Sequence, residues 1–321
     1  MPKKITGYYA LIRRLHPRHE KSSRIIEDYK NRKAGFGGEK HFDKQMLEFR
    51  PPYPHAILHD VCLKHDGIYF QMDSILITPE SINIFEVKNI AGKIIVTADP
   101  TQFIKVLPSG ERKVIKNPII ELDRKKFHLT NWLKQRNIDM PIIGMVVFAY
   151  YNELSVEVIP ETEIMFAYEV PSYLRKLVIK NKNLDKHKIR KLAIELKNNH
   201  LEYNPFPMIK NLDIAQIDIL SGVICNVCGH YNMLWVKKKW NCPRCGHTET
   251  RWQTDILSDW LCLIDNKISN QQFRSFALLP NQQVAKRLLN HPNLSPKGKG
   301  RGSYYVMNPK IIIENETLHD I

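Results

Sequence analysis

Between residues 35 and 166 the spacing of apolar positions changes period several times, and each change predicts an element. Phe42, Met46 and Leu47 recur at helical spacing and predict a helix starting near Gly38. Three strand candidates follow, Ala56–Leu63, Ile68–Thr78 and Ile82–Lys88, with shorter strand-like pieces at Ile94–Val96 and Phe103–Val106. Asn117-Pro118 opens a second helix running to about Gln135, since proline is tolerated in the first helical turn. Ile142–Ala149, an apolar run bounded by Pro141 and Asn152, reads as a buried strand. The order αβββαβ predicts an α/β fold, a mixed sheet covered by helices.

Outside this region the pattern is coarser. Residues 1–34 are basic and helix-prone and read as a leading arm, residues 35–170 as the αβ domain, and residues 171–222 as a helical linker rich in Lys and Asn. Two cysteine knuckles occupy 223–252 and a last small module fills 253–321. In that module Ile256, Leu257, Trp260, Leu261 and Ile264 mark an amphipathic helix. Ser269-Asn-Gln-Gln272 resembles a capping box opening a second helix, and Gln282–Asn290 forms a third with Val284, Leu288 and Leu289 inward. No internal repeat, low-complexity tract or heptad seam is visible.

Charge changes the picture more than composition does. The chain carries 48 Lys and Arg against 33 Asp and Glu, a formal net charge of +15, which favours polyanionic partners. No apolar run is long enough to span a bilayer, and the start Met1-Pro2-Lys3-Lys4 lacks the apolar core of a secretory signal, so a cytoplasmic location is expected. Of the six cysteines, four form two CxxC pairs, which point to metal or redox chemistry. Cys62 and Cys262 stand alone in apolar contexts and are expected in the core.

The sharpest chemistry lies in the second and third strands. A turn centred on Pro79-Glu80 sets Asp73 opposite Glu86, Ile75 opposite Ile84, Ile77 opposite Ile82 and Gln71 opposite Lys88. Alternation then places all eight on one face, apolar except at the end that holds two acids, an amide and a lysine. Opposed carboxylates at about 5 Å repel one another, and a divalent cation removes that penalty. Glu39 joins from the preceding helix, on the same stripe as Phe42 and Met46. Carboxylates that hold a hard cation beside a lysine suit phosphodiester hydrolysis. The ion activates water and neutralises phosphate charge, while the ammonium positions both. The plain structural alternative is an Asp–Lys–Glu surface network at the end of a hairpin.

Gly35-Phe-Gly37-Gly38-Glu39, then Asp73, then Glu86-Val-Lys88-Asn89 with Gly92, then Asn117-Pro118, together resemble the nuclease-related domain, a branch of the PD-(D/E)xK nucleases. The resemblance covers about residues 35–150. It implies a restriction-endonuclease-like core, dependence on Mg²⁺ or Mn²⁺, and an active set of Glu39, Asp73, Glu86 and Lys88, with Asp73 and Glu86 on the metal. One position departs: Glu121 stands where the family usually carries glutamine.

Cys225-Asn-Val-Cys228-Gly-His and Cys242-Pro-Arg-Cys245-Gly-His are two nearly identical turns separated by 13 residues, the pattern of a zinc ribbon. Four thiolates leave no open position, so the Zn²⁺ is expected to be structural, with His230 and His247 outside the ligand set. Trp235, Trp240 and Trp252, with Lys237–Lys239 between, either stack on nucleic acid or pack the small core. After the third C-terminal helix, Lys297, Lys299 and Arg301 alternate with glycines, as in the wing of a winged helix-turn-helix domain. Gln282, Gln283, Lys286 and Arg287 would then face the major groove. The whole predicts a metal-dependent nuclease acting on nucleic acid, DNA first. The alternatives are a non-cleaving binding regulator and a ribonuclease.

Overall fold

Alternation in the central strands builds the larger sheet. A computed structural model describes residues 2–98, 100–157, 161–180, 183–250 and 253–307. Two units emerge, one of residues 33–203 and one of residues 1–32 with 204–321.

The chain opens with helices α1 (Lys3–Arg14) and α2 (Ser22–Met46), and the 33–203 unit takes in the second half of α2. Strands β1 (Ala56–His65), β2 (Ile68–Ile77) and β3 (Ile82–Lys88) follow, then β4 (Lys93–Val96), β5 (Phe103–Val106) and β6 (Arg112–Ile115). Helix α3 (Pro118–Lys134) crosses to β7 (Ile142–Phe148), and β8 (Glu153–Val156), β9 (Glu163–Phe166), α4 (Val170–Lys176) and α5 (Lys186–Asn198) complete the unit. The larger sheet has the order β1-β2-β3-β7-β9, antiparallel through β3 and parallel beyond it. A smaller sheet, β6-β5-β4-β8, is also mixed. The expected αβββαβ order is present, with β4–β6 inserted before α3.

Both faces of the larger sheet are covered. Ile75, Ile77, Ile82 and Ile84 pack with Leu122, Leu129, Trp132 and Leu133 of α3. Leu76, Phe85 and Val87 pack with Phe42 and Met46 of α2. The register at Ile75↔Ile84 and Ile77↔Ile82 is the one the turn at Pro79-Glu80 predicts. Helix α2 starts well before Gly38 and runs through three glycines. Leu47 is exposed, and Phe49 is the buried residue instead. The segment expected as a linker contains α5, whose Ile189, Leu192 and Leu196 join the α3-side core.

In the other unit α6 (Met208–Asn211) precedes the knuckles, whose hairpin is β10 (Leu234–Val236) and β11 (Lys239–Asn241), with β12 (Thr248–Glu249) alongside. Then come α7 (Gln253–Leu263), β13 (Lys267–Ile268), α8 (Asn270–Ala277), α9 (Gln282–Leu289), β14 (Leu294–Lys297) and β15 (Tyr304–Met307). Strands β14 and β15 pair antiparallel on either side of the glycine-spaced basic segment, and β13 pairs on the other side of β15. Both bonds of the capping box at Ser269 and Gln272 are made.

The N-terminal residues are not a free arm. Tyr8 and Leu11 of α1 share a core with Met208, Trp240, Leu257 and Trp260. The Arg14 guanidinium, 1% exposed, donates through Nε to Asp259 Oδ2 at 2.8 Å and through Nη1 to the carbonyls of Gly222 at 2.5 Å and Leu220 at 3.1 Å. A buried charge with that many acceptors is a fixed internal joint.

Gly38 sets how closely α2 lies on the sheet. A Cβ there would stand 2.6 Å from Asn89 Cβ and 3.1 Å from Ala149 Cβ. Gly38→Ala is expected to push α2 outward at a cost of about 1–3 kcal/mol, read as a lower melting temperature of the full chain.

Candidate active site and thiolate cluster

The β2–β3 ladder extends to Ser74↔Phe85 and the strands then part. At the fork Val87 donates its backbone N–H to Asp73 Oδ2 at 2.8 Å, so a carboxylate accepts where a main-chain carbonyl would otherwise serve. Glu86, 3% exposed, lies beside it on the same face as Ile84 and Ile82. Asp73 and Glu86 thus lie near one another, but the ladder ends one pair short of setting them directly opposite as the register predicts. Gln71 is not placed opposite Lys88, because the ladder has ended; it pairs with Cys62 on β1 and its amide donates to Asp60 Oδ1 at 2.6 Å.

Two ammonium groups compensate these acids. Lys88 Nζ lies 2.8 Å from Glu86 Oε1 and 2.5 Å from Glu121 Oε2. Burial lowers its pKa, but Glu86 and Glu121 more than reverse that, so Lys88 stays protonated. The second ammonium, Lys125, is 9% exposed; its Nζ bonds Glu86 Oε2 and lies 3.5 Å from Asp73 Oδ1. A positive charge therefore sits between the two carboxylates predicted to share an ion. Lys125 was not among the residues singled out in the sequence. The signal was present: it falls on the stripe of Leu122 and Leu129, where a lysine needs a buried acid as partner.

Helix α3 delivers this lysine because of how it begins. Asn117 Oδ1 accepts from Ile119 N at 2.9 Å and Pro118 occupies the first turn, which fixes the start of the helix. Glu121 and Lys125, one turn apart, then face the strand ends. Glu121 also pairs with Lys116. Burial alone would raise the pKa of Glu121, but its bonds to Lys116 and Lys88 hold it below the usual carboxylate range.

Glu39 enters from α2. Burial, then Asp73, Asp60 and Asp43, push its carboxyl up to about 8, and Lys125 offsets only part of this. Asp73 is pushed up to about 6, chiefly by burial and against Lys125, with Glu86 adding to the rise. Both rises mark carboxyls held away from water beside other acids. The donors of the cluster are carboxylate oxygens, the set that Mg²⁺ and Mn²⁺ prefer. Such donors fit a divalent cation held by Asp73 and Glu86, although among the described residues only the four cysteines bring three or more ligand atoms within 4.8 Å of one another.

Residues 34–149 match the family model of the nuclease-related domain, just over a third of the chain. The match coincides within a residue or so with the segment that the Gly-Gly-Glu, Asp, Glu-x-Lys and Asn-Pro motifs mark, and the fold of that segment is restriction-endonuclease-like. No curated protein matches the chain.

The second chemical cluster lies in the other unit. The sulfurs of Cys225, Cys228, Cys242 and Cys245 are all within 4.8 Å of one another. Cys225–Cys245 is 3.7 Å and Cys228–Cys242 is 3.5 Å, close to the roughly 3.8 Å edge of a tetrahedron with Zn–S bonds of about 2.3 Å. The knuckles match each other: Cys225 N donates to His230 O and Cys242 N to His247 O, while Gly229 and Gly246 take φ of +70° and +73°. The set can hold Zn²⁺, and His230 and His247 are not among its ligands.

Trp240 is fully buried and Trp235 meets it edge-on at 5.3 Å between ring centroids, so these indoles pack the module. Trp252 and the side chain of Arg301 lie outside the described residues. Gln282, Gln283, Lys286 and Arg287 are all exposed on α9, as are Lys297 and Lys299 beyond it. Arg287 also lies 5.7 Å over the Trp235 ring, which ties α9 to the ribbon. Cys62 and Cys262 are buried, as expected. Residues 1–32 and 204–321 carry 23 Lys and Arg against 12 Asp and Glu, whereas 33–203 carry 25 against 21. Most of the positive surplus therefore belongs to the ribbon-containing unit.

Two outcomes follow from these clusters. A carboxyl whose folded pKa is raised costs stability as pH climbs from the ordinary carboxylate range toward the raised value. Metal-free Glu39→Gln should therefore melt several degrees above wild type at pH 8, a gain on the order of 2 kcal/mol after allowance for screening, and the gap should close by about pH 5. For the thiolates, metal analysis should find one zinc per chain. Cys228→Ser should lose it and lower the melting temperature of the unit containing α1 and α7–α9, followed by the near-ultraviolet signal of its tryptophans.

Proposed function

We propose that the chain is a metal-dependent nuclease that hydrolyses phosphodiester bonds, DNA being the leading substrate, in the cytoplasm. The observation that carries this reading is the joint placement of Asp73, Glu86 and Lys88 at the fork of β2 and β3, with Glu39 facing them, inside the segment matching the nuclease-related domain. When bound, a divalent ion lowers the pKa of a coordinated water and neutralises charge on the phosphate. Asp73 and Glu86 would hold that ion, and the Val87 N–H fixes the Asp73 carboxylate in one orientation. Lys88 remains an ammonium because of Glu86 and Glu121; it cannot serve as a base and instead orients the water and the phosphate as a point charge. Glu39, which faces Asp73 from α2, would assist the ion or its water. Lys125 keeps Glu86 and Asp73 from repelling one another before the ion arrives.

The other unit supplies binding. Its basic surplus, the exposed polar face of α9 with Gln282, Lys286 and Arg287, and the wing with Lys297, Lys299 and Arg301 suit phosphate contacts and groove reading by a winged helix. That surplus also supports a second reading, a nucleic-acid-binding regulator whose nuclease-like core does not cut. RNA in place of DNA is a third.

The deciding experiment incubates the full chain with plasmid DNA, oligonucleotide duplexes and RNA in Mg²⁺ or Mn²⁺. Cleavage is expected to stop with EDTA and to fall at least about 100-fold in Asp73→Ala and Lys88→Ala. Equal, EDTA-insensitive cutting by wild type and both variants would overturn the assignment. Tight binding without cutting in any metal would favour the regulator.

A further inference from the structure

A third group of side chains of metal-ligating type lies away from the carboxylate and thiolate clusters, where the closed end of the β1–β2 hairpin meets α3. His65 ends β1 and His128 lies on α3, and both are over nine-tenths buried. Their Nδ1 atoms are 3.3 Å apart. Two nitrogens bound to one tetrahedral ion at about 2.0–2.1 Å are separated by roughly 3.3–3.4 Å. The pair therefore already has the spacing of two ligands on a common ion.

Three further features agree. His65 Nε2 faces Asp66 Oδ2 at 3.5 Å, the arrangement in which a carboxylate orients a metal-bound imidazole from its far side. His128 stacks on Phe70, with centroids 5.4 Å apart, which fixes its ring plane. The two imidazoles line an open cleft of about 580 Å³, so further coordination positions face space rather than protein. Asn131, one turn beyond His128, also lines the cleft. Its Nδ2 donates to Phe127 O at 3.0 Å, which leaves the amide oxygen as the remaining donor.

We infer that His65 and His128 form a transition-metal site for an ion of the Zn²⁺, Ni²⁺ or Cu²⁺ class, with its open positions turned to the cleft. Imidazole donors select these ions over Mg²⁺, whereas the carboxylate cluster has the opposite preference. A bound ion would tie the end of β1 to α3, the helix that also presents Glu121 and Lys125. The site does not depend on the nuclease reading and survives its failure. The competing description is a simple hydrogen bond, with one neutral ring donating Nδ1–H to the other.

The full chain, loaded with zinc at its four cysteines and kept in excess Mg²⁺ to occupy the carboxylates, is titrated with Co²⁺ and Ni²⁺. One further equivalent is expected, and its Co²⁺ spectrum should lack thiolate charge-transfer bands. His65→Ala and His128→Ala should each abolish that equivalent, and Asp66→Asn should weaken it roughly tenfold. Because His128 packs on Phe70 and its loss endangers folding, pulsed electron paramagnetic resonance of Cu²⁺ on the unmodified chain provides an independent measure and should count two imidazole nitrogens. No further equivalent, a site without imidazole nitrogens, or undiminished uptake in both folded histidine variants would overturn the inference.

Discussion

The hydrogen bond from Val87 N–H to the Asp73 carboxylate is the constraint on which the site rests. Strands β2 and β3 must part to open space for chemistry, and parting leaves main-chain donors in a poorly hydrated place. Asp73 satisfies one of these donors with its own side chain, so the fork is stable and the carboxylate is held in one orientation. That solution places a buried negative charge next to Glu86, which then requires Lys125, just as Lys88 requires Glu86 and Glu121. Each charge is tolerable only because the next is present, and the helices are packed to deliver them.

Much of this was legible in the sequence, for specific reasons. The hairpin register followed from period-two alternation around Pro79-Glu80, because any slip would have turned Ile75, Ile77, Ile82 and Ile84 out of the core. Asn117-Pro118 announced α3 through capping chemistry that acts locally. The cysteine knuckles were equally local, each a few residues of fixed turn geometry. What escaped depended on partners distant in the chain. Gln71 was expected opposite Lys88 because alternation alone does not reveal where two strands separate. Lys125 passed as one basic residue among several on α3, since the acids that make it internal lie on β2 and β3. The start of α2 was misplaced because Gly35, Gly37 and Gly38 read as breakers, whereas Gly38 is there for its small size against Asn89 and Ala149.

The two units differ in charge. The 33–203 unit is nearly balanced, and the acids and lysines at its fork are paired with one another. The unit with the thiolate cluster holds most of the surplus, 23 Lys and Arg against 12 Asp and Glu, and Lys286, Arg287, Lys297 and Lys299 are among its exposed cations. Coulombic attraction to a polyanion is long-ranged and tolerant of geometry, whereas hydrolysis is short-ranged and exacting. In the proposed reading the two belong to separate cores, so each could be tuned alone.

The path of the chain through these cores bears on how the molecule is made. Helix α1 and the Arg14–Asp259 joint belong to a core whose other members lie beyond residue 204. During synthesis from the N-terminus, residues 33–203 can emerge and condense while α1 still lacks the surface it covers. Closing that core means joining segments about 200 residues apart, with the loop between them already shortened by a folded domain. The nuclease-related segment is thus poised to mature first, ahead of the unit that carries the positive charge.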